Sequence, residues 1–238
     1  MVLSEAVKLT LDLLYPPRCP VCHGLAPVGK DICPECAERL PYVREPRCRK
    51  CGKPVTDVMI FCEDCMEFPH DFDQGTAAFL YDDCMRETIR HFKYKGRKEY
   101  GAVLGRLLYE YARPDLALWN AEAVVPVPLH REKLRQRGYN QAAVTAEAFA
   151  RFASLPCFPG ALVRTGRTAA MKNLAAGERR RNLRDAFSVS PDFRTPERIL
   201  VVDDIYTTGS TADACAAALK GAGAKEVYVA AVCIGGGT

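Results

Sequence analysis

The sequence predicts an α/β domain with a mostly parallel sheet, preceded by a small cysteine-rich module. Three observations carry this. Eight of the twelve cysteines fall in C-x-x-C pairs within the first third of the chain. From about Phe72 the texture changes to apolar runs alternating with helical patterns, the signature of repeated strand-helix-strand units. The last interior run, Arg198 to Val202, ends in two carboxylates and a hydroxyl-rich turn before another helical pattern. With 238 residues there is room for one medium and one small domain, 1–71 and 72–238.

The first stretch, Met1 to Cys19, spaces leucines and valines as a helix does, but Glu5, Lys8 and Asp12 interrupt it and no small-residue cleavage site follows. It is expected to be an amphipathic helix rather than an export signal. No apolar run reaches the roughly 18 residues of a spanning helix, so no membrane span and a cytoplasmic location are expected. The net charge of +4 is modest, which excludes a globally basic binder and leaves only local basic surfaces.

The cysteine pairs are Cys19/Cys22, Cys33/Cys36, Cys48/Cys51 and Cys62/Cys65. The set repeats: Pro17-Arg18-Cys19 returns as Pro46-Arg47-Cys48, 29 residues later, and ten residues separate the pairs in both copies. A C-x-x-C turn puts two thiolates on one side of a knuckle, and two knuckles give the tetrahedral sulfur set of a structural zinc ion. Two zinc ions follow, with no open position for metal catalysis. The knuckles can combine sequentially or in an interleaved way. Large apolar residues are few between the cysteines, so metal binding is expected to supply most of the folding free energy there. Cys84, Cys157, Cys215 and Cys233 lie outside the pattern and read as small buried hydrophobes.

In the α/β part, strands are expected at Thr76–Tyr81, Ala123–Val127, Ala161–Arg164, Arg198–Val202 and Glu226–Cys233. Helices are expected at Met85–Phe92, Tyr100–Ala112, Asn140–Phe152 and Thr211–Lys220. In parallel sheets ligands sit beyond the carboxyl ends of strands, so the loops there are where binding residues are expected.

Two loops are unusual. After Val202 come Asp203, Asp204, Ile205, Tyr206, Thr207, Thr208, Gly209, Ser210 and Thr211. Unpaired amides at a helix N-terminus bind a phosphate monoester, the hydroxyls of Thr207, Thr208, Ser210 and Thr211 add donors, and Gly209 lets the backbone come close. Asp203 and Asp204 would repel a bare phosphate but can accept hydrogen bonds from two sugar hydroxyls. A phosphorylated ribose satisfies both halves. The second loop, Leu129 to Asn140, carries Arg131, Lys133, Arg135 and Arg137 at every second position, which lines no single helix face. It is expected to be a charge-collecting loop, with Arg137, next to Gly138, as the candidate for a diphosphate.

Asp203 to Thr211 resembles the signature of type I phosphoribosyltransferases. Pro126-Val127-Pro128, Arg137-Gly138-Tyr139-Asn140-Gln141, His91 to Gly96, Arg179 to Phe187 and the cysteine knuckles resemble the ComF family within them. This resemblance spans nearly the whole chain. It implies a type I phosphoribosyltransferase-like domain after a double zinc ribbon, phosphoribosyl diphosphate as ligand with Mg2+ on its diphosphate, and a part in bacterial DNA uptake, or competence. Met171 stands where the family usually has a glutamine.

Whether transfer is catalysed stays open. Departure of diphosphate from C1 through an oxocarbenium-like state asks the protein mainly to position groups and stabilise charge. Thr207 cannot act as a base near neutral pH, which disfavours purine salvage. Against an active transferase stand a donor-sensing module that handles single-stranded DNA and a scaffold for other DNA-uptake proteins. Arg164–Arg184 carries seven basic residues against one acidic, and Arg86–Lys98 six Lys or Arg. Lys93, Lys95, Arg179 and Arg180 are the candidate contacts to a phosphate backbone, with Phe92, Tyr94 and Tyr139 as candidates for base stacking.

Overall fold

The computed structural model describes residues 16–165 and 186–235. The expected N-terminal helix before Pro16, together with Met171, Arg179 and Arg180, lies outside the described residues. In chain order the elements are α1 (Pro34–Glu38), α2 (Glu63–Glu67), β1 (Gln74–Leu80), α3 (Asp83–Tyr94), α4 (Tyr100–Trp119), β2 (Ala123–Pro126), α5 (Arg131–Arg137), α6 (Gln141–Ala153), β3 (Leu162–Arg164), β4 (Phe187–Val189), β5 (Arg198–Tyr206), α7 (Ser210–Gly221) and β6 (Glu226–Ile234).

Four strands form an all-parallel sheet in the order β1-β6-β5-β2. The central pair reads as continuous apolar runs because both of its faces are covered. Alternate residues separate cleanly. Leu200, Val202, Ala230 and Val232 pack with Ile89, Leu104, Leu108 and Phe149 of α3, α4 and α6. Ile199, Val201, Val229 and Ala231 pack with Ala212, Cys215, Ala216 and Leu219 of α7.

The cysteine module divides between the same two faces. Cys19, Ala26, Ile32, Cys36 and Leu40 join the layer of α3 and α4, whereas Val43, Cys48, Cys51, Cys62 and Phe72 join that of α7. Between them the chain crosses the sheet edge. Val43 N donates to Ala78 O and Leu80 N to Pro41 O, at 2.9 and 2.8 Å, so the crossing segment pairs with edge strand β1. This occupies polar groups that an open edge would present to another chain.

Four elements differ from the sequence reading. The expected end of α4 was Ala112, but the helix runs on through Pro114 to Trp119. Its last turns are held from outside: Asp115 takes a bidentate pair from Arg47 at 2.8 Å, and Trp119 stacks on Tyr228 and donates to Gln74 Oε1. Strand β5 continues past Val202 to Tyr206, because β6 runs beside it as far as Ile234. The basic segment expected as a loop is the helix α5, started by His130 Nδ1 accepting from Glu132 N and stopped by Gly138 at φ 78°. β3 leaves the main sheet and pairs antiparallel with β4, a short strand the periodicity did not show.

α4 and α6 approach at Gly105, where a Cβ would lie 2.5 Å from Thr145 O and 2.6 Å from Ala148 Cβ. Gly105→Ala should gain up to about 1 kcal/mol of helix propensity. Backbone cannot yield at that distance, so overpacking by roughly 1–3 kcal/mol outweighs the gain. Denaturant unfolding should therefore show a lower midpoint. A Gly160→Ala control, where nothing lies within 4 Å, should leave it unchanged.

Candidate functional site

The open end of the sheet gathers the residues singled out in the sequence. Asp203 and Asp204 lie near the carboxyl end of β5 and, as strand neighbours, point to opposite faces of the sheet. Asp204 meets α3, where Lys93 Nζ lies 2.9 Å from its carboxylate, both side chains being largely buried. Asp203 accepts the Asp204 amide at 2.8 Å. Burial, reinforced by the neighbouring Asp204, pushes the Asp203 carboxyl up to about 7, against the downward pull of Lys93 and Arg164. Arg164 ends β3 with its guanidinium over the Phe187 ring. Burial lowers its own basicity, while Asp203 pulls the other way.

Beyond Tyr206 the chain turns through exposed Thr207 and Thr208 into α7. Gly209 has φ 78°, and a Cβ there would lie 2.5 Å from the Tyr206 hydroxyl and 2.7 Å from the His70 ring. Thr208 Oγ1 and Ser210 Oγ stand 2.9 Å apart, and Ser210 and Thr211 open the helix. The turn is clamped from below. Asp213, in the first turn of α7, accepts from His70 Nδ1 at 2.9 Å and from the Asp71 amide at 2.9 Å, and Tyr206 packs edge-on against Phe72. The segment leaving the second knuckle set thus fixes the hydroxyl-rich turn. No spacing in the sequence joins His70 to Asp213, so sequence reasoning missed this clamp.

Arg137, at the end of α5, reaches the same end of the sheet. Its guanidinium lies over the Tyr94 ring, donates to Tyr94 OH at 3.0 Å and to Gln141 Oε1 at 2.9 Å, and keeps a buried Nε with no hydrogen-bond partner among the described residues. Asn140 Nδ2 donates to Val127 O at 2.9 Å and the Tyr139 hydroxyl donates to Phe92 O, pinning this segment against β2 and α3. Two expectations change as a result. Lys93 is turned inward onto Asp204 instead of outward to a nucleic acid. Phe92 is buried and not presented for stacking, while Tyr139 is half-buried and packs against it with its hydroxyl engaged; Tyr94 is exposed, and so is Lys95.

The cysteines gather sequentially, which resolves the pairing: Cys19, Cys22, Cys33 and Cys36 in one cluster, Cys48, Cys51, Cys62 and Cys65 in the other. Sulfur separations of 3.7 Å for Cys22–Cys33 and 3.6 Å for Cys51–Cys62 match the roughly 3.8 Å edge of a tetrahedron with Zn–S bonds of about 2.3 Å. The donors fit electrostatically as well. Hydrogen bonds from Cys51 and Cys65 hold the Cys48 thiol far below its usual range, while Cys48 pushes both of those partners up. Four crowded sulfurs cannot all ionise without a cation at their centre. The tetrads accordingly suit two structural zinc ions.

Residues 10–66 match the family model of a double zinc ribbon domain. Competence protein F of Haemophilus influenzae is 30% identical over 218 residues, covering 89% of this chain and 94% of that protein. The chain belongs to the ComF family. DNA utilization protein YhgH of Escherichia coli K12 is 29% identical over 225 residues, covering 93% of this ComF-family chain and 98% of YhgH. Among solved structures, glutamine phosphoribosylpyrophosphate amidotransferase from B. subtilis aligns at a TM-score of 0.41 and 20% identity over 60% of this chain and 30% of that one. No described helix of this ComF-family protein is long and apolar enough to cross a membrane.

The raised Asp203 carboxyl has a stability signature. Its folded value of about 7 exceeds the ordinary 3.8, so between these values the folded state holds more protons than the unfolded one and stability falls as pH rises. Asp203→Asn removes that loss. Its melting temperature should exceed that of the wild type by a margin that grows from about pH 4 to pH 7 and then levels off, reaching at least roughly 4 °C. Melting curves across that range check the sign and the plateau.

Proposed function

We propose that this protein binds phosphoribosyl diphosphate with Mg2+ and couples that binding to the handling of single-stranded DNA during uptake. The observation carrying the proposal is the convergence, at one open sheet end, of a carboxylate pair, a hydroxyl-lined turn opening α7 and the cations Lys93, Arg137 and Arg164. In this reading Asp203 and Asp204 accept the ribose hydroxyls, and Thr207, Thr208, Gly209, Ser210 and Thr211 surround the 5-phosphate. Arg137, at the end of α5, is the proposed contact to the diphosphate. Mg2+ would neutralise diphosphate charge. Lys93, 2.9 Å from Asp204, holds that carboxylate oriented until the sugar arrives.

The DNA-handling part rests on relatives, one named competence protein F and another DNA utilization protein, and on the local basic segments. The exposed Lys95 and the run containing Arg179 and Arg180 are the proposed backbone contacts, and other DNA-uptake proteins are proposed partners. A cytoplasmic location accords with such a role. The proposed division of labour follows the chain, with 1–71 as a zinc-stabilised support and 72–238 as the ligand-binding domain.

Calorimetric titration with phosphoribosyl diphosphate and Mg2+ tests the central claim. Asp203→Asn and Asp204→Asn should each weaken binding by about one to two powers of ten, the equivalent of roughly 1.5–3 kcal/mol per charge-assisted bond. Thr208→Val should weaken ribose 5-phosphate and the full donor alike. Wild-type affinity in both Asn variants would refute the sugar-phosphate site. Incubation of labelled donor with single-stranded DNA separates the two activities: diphosphate release marks transfer, and binding without release marks a sensing module.

A separate measurement addresses DNA. Neutralising Lys95, Arg179 and Arg180 together should weaken single-stranded DNA binding and flatten its salt dependence by about 0.7 log units per log salt for each phosphate no longer neutralised. An unchanged slope would remove these residues from the interface.

A further inference from the structure

We propose that the second cysteine tetrad is part of the ligand site: with metal bound, Cys48, Cys51, Cys62 and Cys65 hold His70 against Asp213 and thereby set the turn that receives the 5-phosphate. The first tetrad has no such part. This inference rests on the reading of the hydroxyl-rich turn as a sugar-phosphate subsite. Only four residues separate Cys65 from His70, and the link is stiff. Cys62 starts α2, Met66 N donates to Cys62 O at 3.0 Å and Phe68 N to Asp64 O at 2.9 Å, and Pro69 keeps Phe68 extended. On its other side the tetrad rests on the sheet. Gly52, next to Cys51, has φ 81°, and a Cβ there would lie 3.0 Å from Thr76 Cα and 3.1 Å from Gly75 O, so this knuckle sits directly on the β1 backbone.

His70 transmits that placement. Its side chain is 1% exposed, Nδ1 is 2.9 Å from Asp213 Oδ2, and Nε2 is buried with no hydrogen-bond partner among the described residues. Asp213 is therefore the polar anchor of the ring, and the fully buried Phe72, with ring centroids 4.6 Å apart, is its apolar one. This ring and the Tyr206 hydroxyl together fill the space under Gly209. Burial, and after it Cys51 and Cys65, push that hydroxyl far above the usual phenol range, so the sulfurs lie within electrostatic reach of the turn. The first tetrad faces elsewhere. Its module reaches Tyr100 through His23 and Arg106 through Asp31, both on α4, and Cys22 is exposed where Cys48, Cys51 and Cys62 are buried. Without a cation the crowded sulfurs of the second tetrad separate, and the exit that carries His70 is released with them.

The test follows hydrogen exchange in the ligand-free full chain, with ribose 5-phosphate affinity measured by calorimetry alongside. During stepwise chelation, alkylation reports which thiols have been freed. Exchange at the Asp71 and Asp213 amides, both hydrogen-bonded in the folded chain, should accelerate in step with alkylation of Cys48, Cys51, Cys62 and Cys65 and not with that of Cys19, Cys22, Cys33 and Cys36. His70→Ala, with two zinc ions retained, should raise that exchange and lower the affinity by about tenfold each, the loss of one hydrogen bond to a charged group. His70→Asn, whose side-chain amide can reproduce Nδ1, should restore both, and His70→Gln should restore neither. Exchange that is unaltered in His70→Ala, or that follows both tetrads alike, would overturn the proposal, as would wild-type affinity in His70→Ala. If the wild type itself does not bind ribose 5-phosphate, the sugar-phosphate reading fails, and exchange alone decides whether the second tetrad sets the turn.

Discussion

A parallel sheet offers two apolar faces, and its edge strands carry backbone groups that lack a partner on one side; the rest of this chain is arranged around that constraint. Helices α3, α4 and α6 cover one face and α7 the other, as strand-to-strand crossovers require. The cysteine module then follows the same geometry. One knuckle set joins each face, and the segment between them pairs with β1, so the module both thickens the core and occupies an edge. Metal would stabilise each knuckle locally. The apolar packing of Cys19, Ile32, Cys48 and Phe72 makes its folding continuous with that of the sheet.

The candidate site inherits its electrostatics from the same arrangement. Because β5 is central, a carboxylate at its end is drawn out of water, and the second carboxylate beside it adds repulsion. Asp203 is consequently held near neutrality in its titration. Lys93 and Arg164 offset part of that cost from opposite sides of the strand. A buried carboxyl so placed costs the folded protein stability as pH rises toward 7. The neighbouring turn is fixed by a different means, the burial of Asp213 against His70 and Asp71, so that sheet, knuckle exit and turn form one mechanical unit.

Much of this was legible in the chain because it rests on local pattern. The repeated cysteine spacing gave both tetrads, although either combination of knuckles was consistent with it. Apolar runs of strand length gave four parallel strands, and the run of acidic and hydroxyl residues gave the candidate turn. Errors arose where distant interactions override local preference. The helical reading stopped at Ala112, yet Arg47 and Gln74 hold the further turns of α4 in place. Alternating basic residues argued against a helix at Arg131–Arg137, yet a seven-residue helix exposed on nearly all sides needs no apolar face.

The sequence by itself determined the elements, the metal-ligating sulfurs and the residues at the strand end, because spacing and residue chemistry are local properties. Only the tertiary structure decided which of those residues meet. Lys93 is 111 positions from Asp204, and His70 is 143 from Asp213. Burial and charge pairing between such residues depend on how the sheet stacks its strands, and no period along the chain encodes that.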